Sequence, residues 1–236
     1  MGELFENREL RNHTYVFKDR THAGRLLARM ISPFVPPDSL VLAIPAGGIP
    51  VAVEVARELK IPLDLMIVRK IQIPGNTEAG FGAVGPDGEV IFNEDLLGRL
   101  RLNREEIDEQ VGKTRRGVEA RIRQFRGERP FPEVRGRTLI LVDDGLASGF
   151  TMGEAVRFLR RKQVGKILVA VPTAPKGTVD RLLPLVEEVH CLNVRTRYPF
   201  AVAEAYENWY DLSDGEVLGL LEGLRAESER RKAPEN

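Results

Sequence analysis

The segment 138–151 limits what this chain can fold into more than any other. Leu139, Ile140, Leu141 and Val142 form an apolar run that ends abruptly in Asp143 and Asp144. Such a run lacks polar alternation, so a strand over 138–143 must be covered on both faces, as in parallel sheets. Ligands of such sheets bind outside the carboxyl ends of the strands, and that is where the paired acids fall. Two carboxylates there can hold the hydroxyls of a diol or a divalent cation. Ala147, Ser148, Gly149, Phe150 and Thr151 then make a turn of small and hydroxyl residues that leads into a helix over 151–163. Free N–H groups at a helix N-terminus suit a phosphate. A diol and a phosphate side by side describe a ribose 5-phosphate.

A strand ending in two acids also occurs in receiver-type α/β proteins, where the acids follow the first strand and bind magnesium. Too little chain follows Asp144 to complete such a domain. At 236 residues the chain is expected to form one domain, against a prior of about 150 residues per domain. A hydrophobic fraction of 42% is enough for a core without staples. Zero formal net charge argues against a general electrostatic binder of nucleic acid or membrane. The single cysteine, Cys191, excludes an internal disulfide and points to a reducing, cytoplasmic setting. Residues 1–8 are charged and show no signal-peptide core. No apolar run reaches the roughly 20 residues of a membrane span.

Periodicity predicts helices over 21–31 and 49–60 and buried strands over 40–44 and 63–68. A loop over 71–80 and a short hairpin of 81–84 with 90–92 follow. Residues 94–127 read as largely helical, with a break near Asn103, whose spacing to Glu106 fits a capping box. Strand 166–171, helix 176–187 and strand 188–194 continue the alternation, and Ser213 with Glu216 opens a final helix over 213–228. This alternation predicts a Rossmann-like, largely parallel α/β sheet forming one domain over 1–236.

The junctions after the strands are the candidate ligand edge. Ala46, Gly47 and Gly48 let backbone approach a ligand closely, although a plain tight turn has the same composition. Arg69 and Lys70 offer cations suited to phosphate. Residues 71–80, with Pro74, Gly75 and Gly80, suit either a lid or a static loop. The arginine-rich run 115–129 reads as a solvated helix face, with a homodimer contact as a second use and nucleic acid not expected. Tyr206, Trp209 and Tyr210 belong to an aromatic segment, 198–210, that either stacks on a base or packs the tail. His13, His22 and His190 have no metal-type spacing, and Cys191 reads as a core residue.

In this order the segments resemble the type I phosphoribosyltransferase family, whose signature is a hydrophobic strand, two acids and a Thr-Thr-Gly-x-Thr-like turn. The resemblance covers about residues 15–210, and Asp19-Arg20-Thr21-His22-Ala23-Gly24 is similar to a segment in a predicted branch of that family. It implies a small hood from the N-terminal segment and part of 94–127. It also implies transfer of ribose 5-phosphate from phosphoribosyl diphosphate to a nitrogen nucleophile such as a nucleobase, with release of pyrophosphate. In that reading Asp143 and Asp144 hold the ribose hydroxyls directly or through Mg2+. Ala147, Ser148, Gly149, Phe150 and Thr151 hold the 5-phosphate. Ala46, Gly47 and Gly48, with Arg69 and Lys70, meet the leaving pyrophosphate. The family commonly has Arg or Lys where this chain has Ala46. That departure, and the lack of an evident general base, leave a non-catalytic sensing module for phosphoribosyl diphosphate or a nucleotide as the alternative. Arg20 is either a substrate residue or half of a structural ion pair.

Overall fold

The apolar runs become neighbouring strands of one parallel sheet. The structure is a computed structural model and describes residues 2–232. The chain runs through β1 (Glu3–Glu6), α1 (Arg20–Ile31), β2 (Leu40–Ala43), α2 (Gly48–Leu59), β3 (Leu63–Leu65), β4 (Arg69–Ile73), β5 (Asn76–Val84) and β6 (Val90–Phe92). It continues through α3 (Glu94–Leu97), α4 (Arg104–Phe125), β7 (Thr138–Val142), α5 (Phe150–Arg161), β8 (Lys166–Pro175), α6 (Lys176–Leu182), β9 (Glu188–Arg195) and α7 (Asp214–Lys232). Six strands pair in the order β1-β9-β8-β7-β2-β3, every pair parallel.

Alternate residues of each strand point to opposite faces, and both faces are covered. Val41, Ala43, Ile140, Val142, Leu168 and Ala170 pack with Leu27 and Ile31 of α1 and with Val51 and Val55 of α2. Leu40, Leu42, Leu139, Leu141, Ile167 and Val169 pack with Val156 and Leu159 of α5 and Val179 of α6. Chain order reverses between β2 and β7: β2 is flanked by β3 on one side and β7 on the other, and β7 leads on to β8. Such a reversal opens a crevice outside the carboxyl ends of the two strands. Ala46, Gly47 and Gly48 leave one of these strands, and Asp143 and Asp144 leave the other.

Four expectations change. The N-terminal segment begins in the main sheet and not in a separate hood, because β1 pairs with β9 from Glu3↔Glu188 to Glu6↔Cys191. The strand expected over 63–68 ends at Leu65, and helix α6 stops at Leu182. Residues 71–80 are not a loop: β4, β5 and β6 form a second, antiparallel sheet. Its β4–β5 turn is Pro74-Gly75, with Gly75 at φ 76°, the positive φ that the second central residue of a type II turn requires. Cys191 is buried, and burial pushes its thiol up to about 12, as befits a core residue. Among the described residues, no helix is long and apolar enough to cross a membrane.

Candidate active site

The two glycines after β2 allow that turn to lie directly against the acid pair. A Cβ on Gly48 would sit 2.7 Å from the Val142 carbonyl oxygen and 2.9 Å from Asp143 Cα. A Cβ on Gly47 would collide with the Asp144 carboxylate. Close backbone approach, then, is what these glycines supply.

The two acids have different surroundings. Asp144 Oδ2 accepts from Arg20 Nε at 2.8 Å, an ion pair in which Arg20 is only 7% exposed. Arg20 Nη1 donates to the Tyr210 carbonyl at 2.9 Å, and its guanidinium lies 3.9 Å over the Trp209 ring. Tyr206 donates its hydroxyl to the Asp144 carbonyl and packs on Phe17 and Trp209. Arg20 is therefore half of an ion pair, and it also lines the cavity beside the acid pair. The aromatic segment both packs the tail and lines the cavity, through Tyr206 and Trp209 respectively. Asp143 Oδ1 accepts from the Asp144 N–H at 2.9 Å. Burial first, and the neighbouring Asp144 second, push the Asp143 carboxyl well above the usual carboxylate range.

Beyond Asp144 the chain makes the expected turn, with Gly149 at φ 70° just before α5. The Ala147 carbonyl accepts from Thr178 Oγ1 at 2.7 Å, and the Ser148 carbonyl from Arg181 Nη2 at 3.1 Å. With its carbonyls held by α6, the turn leaves the N–H groups of Ala147, Ser148 and Gly149 without a protein acceptor among the described residues. The N–H groups of Ala46 and Gly47, at the start of α2, are in the same condition.

A cavity of about 490 Å3 joins Ala46, Gly47, Asp143, Asp144 and Thr151. Arg69 lines it, but Lys70 does not. Successive strand residues face opposite ways, so Lys70 instead places Nζ 5.7 Å over the Phe150 ring, in a groove shared with Ser148 and Gly149. Sequence reasoning missed Arg121, a cavity residue on α4. It stands three residues after the buried Val118 and four before the buried Phe125. That spacing puts it on the inward stripe and was the available signal against a wholly solvated face. Among the described residues, no group of three or more His, Cys, Asp or Glu side chains could hold a metal. Asp143 and Asp144 fit a cation only where a ligand supplies further oxygens, which is how Mg2+ is ordinarily held beside phosphates.

The family model described as "Phosphoribosyl transferase domain" matches residues 24–193. A Mycobacterium tuberculosis (strain ATCC 25618 / H37Rv) protein, Rv0571c, is 36% identical over 207 residues, which is 88% of this chain and 46% of that protein. Its counterpart in strain CDC 1551 / Oshkosh, MT0597, matches equally, and both carry provisional names as phosphoribosyl transferases. The chain thus spans about half the length of these curated relatives. The crystal structure of TT1426 from Thermus thermophilus superposes with a TM-score of 0.77 at 35% identity, covering 87% of this chain and 97% of that one. With the acid-pair strand, the turn and both glycines inside the matched region, the chain belongs to the phosphoribosyl transferase family.

Proposed function

We propose that the cavity binds phosphoribosyl diphosphate and that the chain transfers its ribose 5-phosphate to a nitrogen nucleophile, a nucleobase by class, releasing pyrophosphate. One observation carries this reading: two helix N-termini with unbonded amides, those of α2 and α5, flank a single acid pair. Each is an oxyanion site, and the carboxylates between them suit hydroxyls. A ligand with phosphates at both ends and a diol in the middle matches that order.

In the transfer, the C1–N bond forms as the C1–O bond to the diphosphate breaks, and the bonding pair leaves on the diphosphate oxygen. The acceptor nitrogen's proton passes to solvent or to the departing group. Positive charge develops on the ribose and negative charge on the leaving group, so positioning and electrostatic stabilisation are the protein's main contributions. Asp143 and Asp144 hold the ribose hydroxyls, with Arg20 fixing the Asp144 carboxylate. The 147–151 turn holds the 5-phosphate, and Lys70 stands over that turn. Ala46, Gly47, Gly48 and Arg69 face the diphosphate. Asp143 and Asp144 would hold magnesium together with the donor, and it would supply neutralising charge when bound.

Ala46 favours a second reading, a sensing module, because it offers no charge to the leaving group. The test is to mix the protein with phosphoribosyl diphosphate, magnesium and a panel of purine and pyrimidine bases, and to assay pyrophosphate while following donor binding by calorimetry. Base-dependent pyrophosphate release is expected. Tight donor binding with no release for any base would establish the sensing module, and no donor binding would overturn both readings.

A further inference from the structure

We propose that Arg121 of α4, paired with Arg69, forms the cationic clamp for the diphosphate end of the donor and supplies the charge that Ala46 does not. The proposal rests on the reading above. It starts from an energetic anomaly: Arg121 Nη1 is fully buried and has no hydrogen-bond partner among the described residues. A buried donor left unsatisfied is costly, and a charged one more so. Such a group calls for an anion.

The surroundings show where that anion would sit. Arg121 lines the same cavity as Ala46, Gly47 and Arg69. The Arg121 guanidinium lies 5.5 Å over the ring of the buried Phe125, which holds it on the inward side of α4. Arg69 comes to the same wall: a Cβ on Gly117, one helical turn before Arg121, would stand 2.7 Å from Arg69 Nη1. The lack of a side chain at Gly117 is what lets the two guanidiniums share the wall. Neither has a salt-bridge partner among the described residues, whereas Arg20 is paired with Asp144. Of the three carboxyls lining the cavity, Asp144 is taken by Arg20, Asp143 bonds the Asp144 amide, and the exposed Asp211 forms no salt bridge with either guanidinium among the described residues. Two unpaired planar guanidiniums beside two unbonded amides make a site for a multiply charged oxyanion, since guanidinium binds phosphate oxygens in bidentate fashion.

Calorimetric titration of the intact protein with inorganic pyrophosphate and, separately, with ribose 5-phosphate, both with magnesium, tests this. Wild type, Arg121→Gln and Arg121→Lys are compared, with thermal melting as a check on folding. Arg121→Gln is expected to weaken pyrophosphate binding by about tenfold or more, the scale of one charge-assisted contact, and to leave ribose 5-phosphate within about twofold. Arg121→Lys, which keeps the charge and loses the fork, should fall between, and it carries the test if the Gln variant does not fold. Pyrophosphate affinity unchanged in a folded variant would overturn the clamp. So would an equal loss for both ligands, which would make Arg121 a general support of the site, or a loss seen only for a base acceptor in the complete assay. A wild type that binds neither ligand would instead overturn the reading of the whole cavity.

Discussion

Single side chains set the character of the site. Asp143 and Asp144 are adjacent in sequence, yet one is matched by a buried guanidinium and the other is desolvated beside a like charge. The folded protein therefore holds the Asp143 proton to higher pH than the unfolded chain does. The stability Asp143 contributes is present at low pH and is lost as pH rises from its ordinary value of 3.8 towards the raised folded value. Asp143→Asn, neutral throughout and still able to accept the Asp144 amide, should melt higher than wild type, and the gain should be larger at pH 8 than at pH 5. The same variant should bind phosphoribosyl diphosphate with magnesium about tenfold or more weakly, the trade of stability against function expected at such sites. Scanning calorimetry at the two pH values and a ligand titration would check this. A gain that does not grow with pH would mean that the carboxyl ionises without penalty. The acid pair and its turn were legible in the sequence because they are contiguous. The Arg20 to Asp144 pair spans 124 positions and leaves no local trace. Arg121 was hidden because a run of arginines reads as solvated until the burial of Val118 and Phe125 fixes its face.

Among the elements, the β4–β5 hairpin is the one placed to respond to ligand. It starts at Arg69 on the cavity and Lys70 over Phe150, and it ends in an exposed Pro74-Gly75 turn. Closure over a bound donor would exclude water from a centre open to hydrolysis. Amide exchange in β4 and β5 should slow more with phosphoribosyl diphosphate and magnesium than with ribose 5-phosphate alone, as mass spectrometry would show. Equal protection by the two ligands would mean that the hairpin does not sense the diphosphate. The sequence concealed these strands, since Pro74, Gly75 and Asn76 dominate the segment and mask the alternation of Ile71, Gln72 and Ile73. It concealed β1 as well, where two glutamates flank Leu4 and Phe5 and only pairing with β9 makes a strand. The continuous apolar strands and the capping boxes were readable, because each is decided locally: Glu106 N donates to Asn103 Oδ1 at 3.0 Å, and Ser213 N to Glu216 Oε2 at 2.9 Å.

Across the whole molecule, the β1–β9 edge gathers groups that resist protonation in the folded state. His190 is fully buried, stacked on Phe5 at 4.6 Å and near Phe34 at 5.0 Å, with Nε2 2.7 Å from Glu188 Oε2. Lys166 and Glu3 also face it, but burial dominates and lowers its pKa. The unfolded chain takes up this proton below about pH 6.5 while the folded one resists. Stability should therefore fall as pH drops from there towards the lower folded value, and Glu188, whose pKa is lowered, adds to the loss further down. His190→Phe should flatten the change in melting temperature between pH 7.5 and 5.5, as differential scanning fluorimetry would read. An unchanged slope would assign the acid loss to other groups. The clamp around Asp144 has a different kind of consequence. Its members come from position 20 and from positions 206, 209 and 210, on either side of Asp144 in the chain. During synthesis at roughly 5–20 residues per second, the glycine turn and the acid pair leave the ribosome before Trp209 and Tyr210 do. Until those arrive, Arg20 lacks its aromatic floor and its carbonyl, so a nascent chain has the parts of its pocket but not the brace that aligns them.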